Sequence, residues 1–264
     1  MLTMWTIGWC EVAEAMRGAQ VVSRVSRILK IVSEHPGGAS SSAVAAAAGL
    51  TRPTAHRLLA SLAAEGFLDH DARAARWHLG PELFLLGSLA AERYDVAELA
   101  RESVRILAHE SGESAFLSVR RGFETVCLLR EEGSFPVRSF VLTEGVRFPL
   151  GVASAGLAIL AFSTDAEIDD YLARADLVER WGEAHAAERV RERIQETRER
   201  GYAVNPALIL EGSWGMGAAV FDAAGKPAWA LSLTGIESRF RPERQAFLGG
   251  LLLEQAHELS KRLR

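Results

Sequence analysis

Four side chains within six positions, Arg52, Thr54, His56 and Arg57, gather the groups that contact nucleic acid. Guanidinium groups pair bidentately with guanine edges or hold phosphates, and hydroxyl and imidazole groups serve either task. Arg52, at a helix start, suits a base contact, whereas Arg57, beside core leucines, suits a phosphate. The alternative for Thr54 and His56 is that they are plain surface residues of the same helix. Arg73 and Arg76 follow on a hairpin pattern, from which they would reach an adjacent minor groove or backbone; Arg76 is also compatible with a solvated strand position.

Other reactive groups do not assemble into a catalytic or metal-binding pattern. Ser154, in Val152-Ala-Ser-Ala-Gly156, imitates a nucleophile elbow but lacks its first glycine and follows no clear strand. The seven histidines are scattered singly, without Cys or acid neighbours at metal-ligand spacing. Glycines in residues 211–217 fit neither the dinucleotide fingerprint nor a phosphate-binding loop, and Trp214 among them reads as core. These observations argue against an enzyme, and no cofactor or metal is expected.

Charge distribution agrees with the arginine cluster. The 264-residue chain carries a formal net charge of −4. Yet residues 17–80 hold eight basic side chains against four acidic ones, which leaves the acidic excess to the remainder. A small basic reader joined to an acidic body has this signature.

The elements that must position these groups follow from periodicity. Val21, Val25, Ile28, Leu29 and Val32 fall on one helical face, ended by His35-Pro36-Gly37-Gly38. A short helix capped near residues 40–42 runs to Gly49. Thr51 then caps a third helix, with Pro53 in its first turn, that buries Ala55, Leu58, Leu59 and Leu62 and stops at Gly66. Residues 67–69 and 76–79 read as the two strands of a wing, so the whole is a winged helix-turn-helix. Pro81 opens a helix whose Leu83, Phe84, Leu85, Leu86, Leu89 and Ala90 cover more than one face, which suits a helix that packs on a second copy and equally one that only closes the small domain's core.

Beyond residue 96 helices alternate with about six strands, an α+β pattern. Strands are expected at 115–119, 125–129, 137–141, 202–204, 217–221 and 228–234, and helices at 96–111, 153–162, 188–200 and from 242 almost to the end. Thr164 and Glu167 have capping-box spacing before a further helix. With hydrophobic residues at 48% the chain has material for a sizeable core. Two cysteines, Cys10 and Cys127, make no disulfide framework, which suits a reducing cytoplasm. Residues 1–9 are apolar but lack the basic lead of a signal peptide, so residues 1–20 are read as an extension, with Met16 an alternative start. The apolar stretch 151–162 is too short to span a bilayer.

Strings along nearly the whole chain after residue 20 resemble the IclR family of bacterial transcription regulators. In the first part these are Ile28-Leu-Lys-Ile-Val-Ser-Glu-His-Pro-Gly-Gly38, Gly49-Leu-Thr-Arg-Pro-Thr-Ala-His-Arg-Leu-Leu59, Leu62-Ala-Ala-Glu-Gly-Phe-Leu68 and Trp77-His-Leu-Gly80. In the second they are Arg200-Gly-Tyr-Ala-Val204, Ala219-Val-Phe-Asp222, Ala230-Leu-Ser-Leu-Thr-Gly235 and Arg241-Pro-Glu-Arg244. The resemblance implies a winged helix-turn-helix at 21–80, a linker and dimerisation helix at 81–95, and a GAF-like effector-binding domain at 96–264. It further implies dimers that often pair into tetramers, a palindromic double-stranded DNA operator, and a small organic acid as effector.

Matching the family's pocket segments points to Gly156, Asn205, Gly215, Ser232 and Thr234 as effector-binding residues. Ser232 and Thr234, two apart on one strand, share a face, and Gly156 near a helix start would let a carboxylate approach backbone amides. The same two hydroxyls also read as ordinary strand residues. The sequence departs from the family pattern at Gly215, where Cys is common, at Leu157, where a basic residue is common, and at Asn205, where an acid is common. A roomier, more apolar cavity follows, for a ligand larger than the smallest keto acids. The competing reading is a sensor or enzyme that keeps a degenerate helix-turn-helix as an interaction module; Arg52, Arg57 and the hairpin arginines favour DNA.

Overall fold

The computed structural model describes residues 20–91 and 96–263. Residues 1–19 of the expected N-terminal extension and 92–95 of the expected linker therefore lie outside the described residues, while Gln20 already belongs to the first helix. The chain divides into two compact units, residues 1–93 and 94–264.

In the first unit α1 (Gln20–Ser33), α2 (Ser41–Ala48) and α3 (Arg52–Ala64) precede a hairpin of β1 (Leu68–Asp71) and β2 (Arg76–Leu79). Ser40 caps α2 by accepting the Ala43 N–H, and Gly49 ends it in the left-handed conformation at φ 64°, which a side chain would oppose. Ile28, Val32, Val44, Leu59, Leu62, Leu68 and Trp77 converge in one small core. Leu58, expected inside, is only half-buried. Antiparallel pairing sets Leu68 opposite Leu79 and Asp71 opposite Arg76, and a bridge between Ala39 and Trp77 ties the wing to the start of α2. α4 (Pro81–Ala91) closes the unit. Phe84 and Leu89 on it are 75% and 67% exposed, so the described residues of this unit leave apolar surface on the helix uncovered.

The second unit is built on one antiparallel sheet of six strands in the order β5-β4-β3-β8-β7-β6. These are β3 (Ser114–Arg121), β4 (Glu124–Glu131), β5 (Arg147–Pro149), β6 (Ala203–Pro206), β7 (Ser213–Phe221) and β8 (Pro227–Ile236). Side chains alternate across it. Leu117, Met216, Leu231 and Leu233 face α5 (Val96–Ser111) and α10 (Pro242–Arg262), while Phe116, Ala219 and Ala230 face the layer of α6 (Ser154–Ala161). Every residue of α6 is buried, because the sheet lies under it and α9 (Ala187–Arg200) over it. α7 (Asp165–Arg174) begins with the expected capping box, in which Thr164 Oγ1 accepts the Glu167 N–H and the Glu167 carboxylate accepts the Thr164 N–H. A short α8 (Val178–Trp181) completes this layer.

One expected strand is absent. Residues 137–141 form no strand, and the edge of the sheet is instead β5, which ends on Pro149. Ser139 instead spends its hydroxyl on the side chain of Ser213, and Phe140 is 71% exposed. β7 starts four residues earlier than expected, which brings Gly215 into a strand. Among the described residues no helix is long and apolar enough to cross a membrane.

Candidate nucleic-acid interface and ligand cavity

α3 buries Ala55, Leu59 and Leu62 and thereby turns Arg52, His56 and Arg57 to solvent. Arg52 and His56 stand one turn apart on a common face. Among the described residues neither Arg52 nor Arg57 has an ion-pair partner, so both guanidinium groups are available to a ligand. Thr54 is half-buried, and its hydroxyl accepts from Thr51 Oγ1 at 2.9 Å, so it is partly committed to the helix start. The ring of His56 meets Trp77 edge-on at 6.3 Å, and His70 stacks on the same indole at 4.2 Å. Trp77 Nε1 also donates to Ser41 Oγ at 2.8 Å. One tryptophan thus fixes the wing against both α2 and the reading helix.

The wing arginines separate. Asp71 Oδ1 accepts the N–H groups of Arg73 and Ala74 at 2.8 and 3.1 Å, which shapes the turn. The Ala74 and Arg73 amides hold the Asp71 carboxyl below the usual carboxylate range. Arg73 stands exposed on that turn. Arg76 donates through Nη1 to the Gly38 carbonyl at 3.2 Å, bracing the wing against the turn after α1. The geometry therefore gives Arg76 a bracing role that its strand position did not reveal.

In the second unit the start of α6 lies against β7 because two glycines admit it. A Cβ on Gly217 would stand 3.0 Å from the Ser154 carbonyl, and one on Gly215 would stand 3.1 Å from Ser154 Oγ. A small cavity of about 30 Å³ lies there, bordered by Ser154, Ala155, Asn205, Gly215, Ser232 and Thr234, with an apolar wall of Val141, Leu142, Phe148 and Ile209. Four of the five residues expected around a ligand therefore meet at one place. The first-turn amides of α6 have no intrahelical acceptor, and its N-cap Ala153 offers no side chain to satisfy them. Such amides, with the helix dipole behind them, favour an anion.

Ser232 and Thr234 lie on the α6 side of β8, almost wholly buried, and neither hydroxyl has a partner. Ser114, opposite Thr234 on β3, has a third unpartnered hydroxyl. Buried hydroxyls without partners are costly, which marks a place where a ligand or water supplies the missing bonds. Asn205 is already engaged: Nδ2 donates to the Val152 carbonyl at 2.6 Å and Oδ1 accepts the Leu208 N–H at 3.1 Å. It shapes the cavity rather than offering a free amide. Gly156 does not border the cavity. A Cβ there would stand 3.2 Å from Leu150 Cα, so this glycine seats α6 against the preceding loop, and Ser154 and Ala155 take its expected place.

Behind the wall, Phe148 tilts against Trp181 at 5.4 Å, and the Trp181 carbonyl meets Nδ1 of buried His185 at 2.9 Å. Burial, followed by the Arg193 charge, lowers the His185 imidazole below its ordinary value, with hydrogen bonding to Trp181 opposing. Val141, Leu142, Phe148 and Ile209 were not anticipated as lining. Their apolar character signals only burial; that they face this cavity follows from tertiary placement.

Relatives share this architecture. Residues 21–72 match the IclR helix-turn-helix domain, and residues 88–261, more than half of the chain, match the C-terminal domain of the bacterial transcriptional regulator IclR. The chain is 29% identical over 250 residues to the HTH-type transcriptional regulator BhcR of Paracoccus denitrificans, covering 94% of this chain and 88% of that one. It is 29% identical over 251 residues to the HTH-type transcriptional repressor AllR of Salmonella typhimurium, covering 94% and 92%. The crystal structure of an IclR transcriptional regulator from Alicyclobacillus acidocaldarius superposes with a TM-score of 0.74 at 26% identity, covering 91% of this chain and 97% of that one. The chain belongs to the IclR family of DNA-binding transcriptional regulators, with a helix-turn-helix toward its N-terminus and an effector-binding domain after it.

Proposed function

We propose that this regulator reads a palindromic operator as a dimer and that its affinity is set by a small organic acid with a bulky apolar body, bound between α6 and β8. The supporting observation is the pair of unpartnered, buried hydroxyls of Ser232 and Thr234 beside the uncapped start of α6. A carboxylate there receives neutral donors and a helix dipole. Val141, Leu142, Phe148 and Ile209 then receive the rest of the molecule. Among the described residues no lysine or arginine borders the cavity, so the acid is recognised by hydrogen bonding and not by a counter-charge.

On DNA, Arg52 takes a base edge, Arg57 a phosphate, and Arg73 the flanking backbone. Thr54 and His56 stand within reach of the same groove. The exposed Phe84 and Leu89 of α4 supply the apolar surface that a second copy covers, and two reading helices then meet two half-sites. The effector acts only if it binds two arrangements of that dimer unequally.

Isothermal titration of the whole chain with benzoate and with pyruvate tests the ligand reading. Benzoate is expected to bind at least tenfold more tightly; equal or tighter binding of pyruvate refutes the apolar-body assignment. Selection of bound fragments from genomic DNA, repeated with benzoate present, supplies the operator.

A further inference from the structure

The segment between β4 and β5, residues 132–146, is a long irregular connection across one side of the cavity. Such loops in a packed domain commonly serve a binding site. It supplies two of the apolar wall residues, Val141 and Leu142.

Its two ends are fastened by backbone. The Phe135 N–H donates to the Gly112 carbonyl at 3.0 Å, and the Gly145 N–H donates to the Cys127 carbonyl at 2.8 Å. Its middle is held otherwise. The Ser139 and Ser213 hydroxyls meet at 2.6 Å, and this bond alone joins the middle of the segment by hydrogen bonding to the far side of the cavity among the described residues. Arg138, its neighbour, bonds only within the segment, to Phe135 and Glu132. Val137 and Phe140 are 53% and 71% exposed, and Phe140 keeps a contact to β4 through the Arg130 guanidinium, 5.7 Å from its ring.

We propose that residues 136–142 form a lid over the cavity, latched shut by the Ser139–Ser213 hydrogen bond, and that ligand enters when this bond breaks. Two anchored ends, a single cross-cavity bond and an apolar underside are what a hinged cover requires. Opening swings Leu142 off the cavity and uncovers the apolar cluster that it shares with Cys127. The assignment rests on the cavity being the effector site, but the motion has a readout that needs no effector.

Cys127 provides it. This residue is 2% exposed in the closed arrangement, and burial pushes its thiol up to about 12, so thiol reagents reach it only through opening. In a Cys10→Ser background Cys127 is the remaining thiol. Its labelling by methyl methanethiosulfonate is followed at low denaturant, for the parent, Ser139→Ala, Ser213→Ala and the double variant. Each single change is expected to speed labelling about fivefold, with the double no faster than either, since all three remove one bond. Labelling that is equal in all four proteins, or that rises with denaturant as steeply as global unfolding, overturns the lid. A saturating concentration of benzoate should slow labelling of the parent. If the latch variants label faster but benzoate protects none of them, the lid stands and the ligand reading fails.

Discussion

On α3 the polar side chains Arg52, His56 and Arg57 stand in solvent, and Ala55, Leu59 and Leu62 are buried behind them. On β8 the arrangement is inverted: Ser232 and Thr234 are the buried groups, and they face a cavity within the domain. A macromolecular ligand that stays outside is met by long, charged, well-hydrated side chains. A ligand that must be desolvated is met by short neutral donors, because a buried, unpaired charge would be far more costly than a buried hydroxyl. The domain also buries the carboxylate of Glu113, and there the charge is paired. Glu113, 2% exposed, receives Arg239 Nε and Arg244 Nη1 at 2.7 Å each, with Arg239 resting on Phe135 at 4.3 Å. The same fold thus separates polar groups that hold it together from polar groups left waiting for a partner.

The largest expected effect tests that separation directly. Glu113→Ala leaves two guanidinium groups without their shared acceptor, and should cost about 3–5 kcal/mol in denaturant unfolding of the second unit. Ser232→Ala, by contrast, should leave stability unchanged or slightly raised, because it deletes an unsatisfied group. A large stability loss in Ser232→Ala would mean that its hydroxyl is structural, and the comparison would collapse.

Next come the arginines of the reading face. Arg52→Ala should cost about 1–3 kcal/mol of operator affinity and relax specificity at one base pair. Arg57→Ala should weaken binding to all sequences and lower the salt slope by about one unit. If the slope in a salt titration is unmoved, Arg57 is not on a phosphate. Arg76→Ala sharpens the contrast within the wing. Its loss should appear as about 1 kcal/mol of stability in the first unit, with little change in salt slope.

Of similar size is the ligand effect of the cavity hydroxyls. Thr234→Val keeps the shape and removes one donor, so benzoate affinity should fall about tenfold in calorimetry while the fold holds. The smallest effect concerns pH. Burial lowers His185 below the ordinary imidazole value of 6.5, so the unfolded chain binds more protons than the folded one once pH drops below that value. Its contribution to stability is complete above about 6.5 and is lost as pH falls toward the lowered value. His185→Gln should flatten that part of a stability-against-pH curve; an unchanged slope would show that other groups carry it.

The helix-turn-helix was legible in the chain because its face is written by local spacing. A helical period with apolar residues at Ala55, Leu59 and Leu62 leaves Arg52, His56 and Arg57 on the other side, whatever the rest of the domain does. Ser232 and Thr234 were likewise paired by the two-residue period of a strand. Residues 137–141 show the limit of that reasoning. Their β-branched and aromatic residues suit a strand, but whether a strand forms depends on a partner edge, and β4 pairs with Arg147–Pro149 instead.

By itself the sequence determined which side chains share a face, where helices begin and end, and where charge accumulates, since these depend on neighbours a few residues away. Only tertiary structure decided that Gly156 seats a helix while Gly215 borders the cavity, that Asn205 is already bonded, and that Arg76 braces the wing. The bonds of Asn205 and Arg76 reach atoms 53 and 38 residues away, at Val152 and Gly38, and no periodicity carries that information.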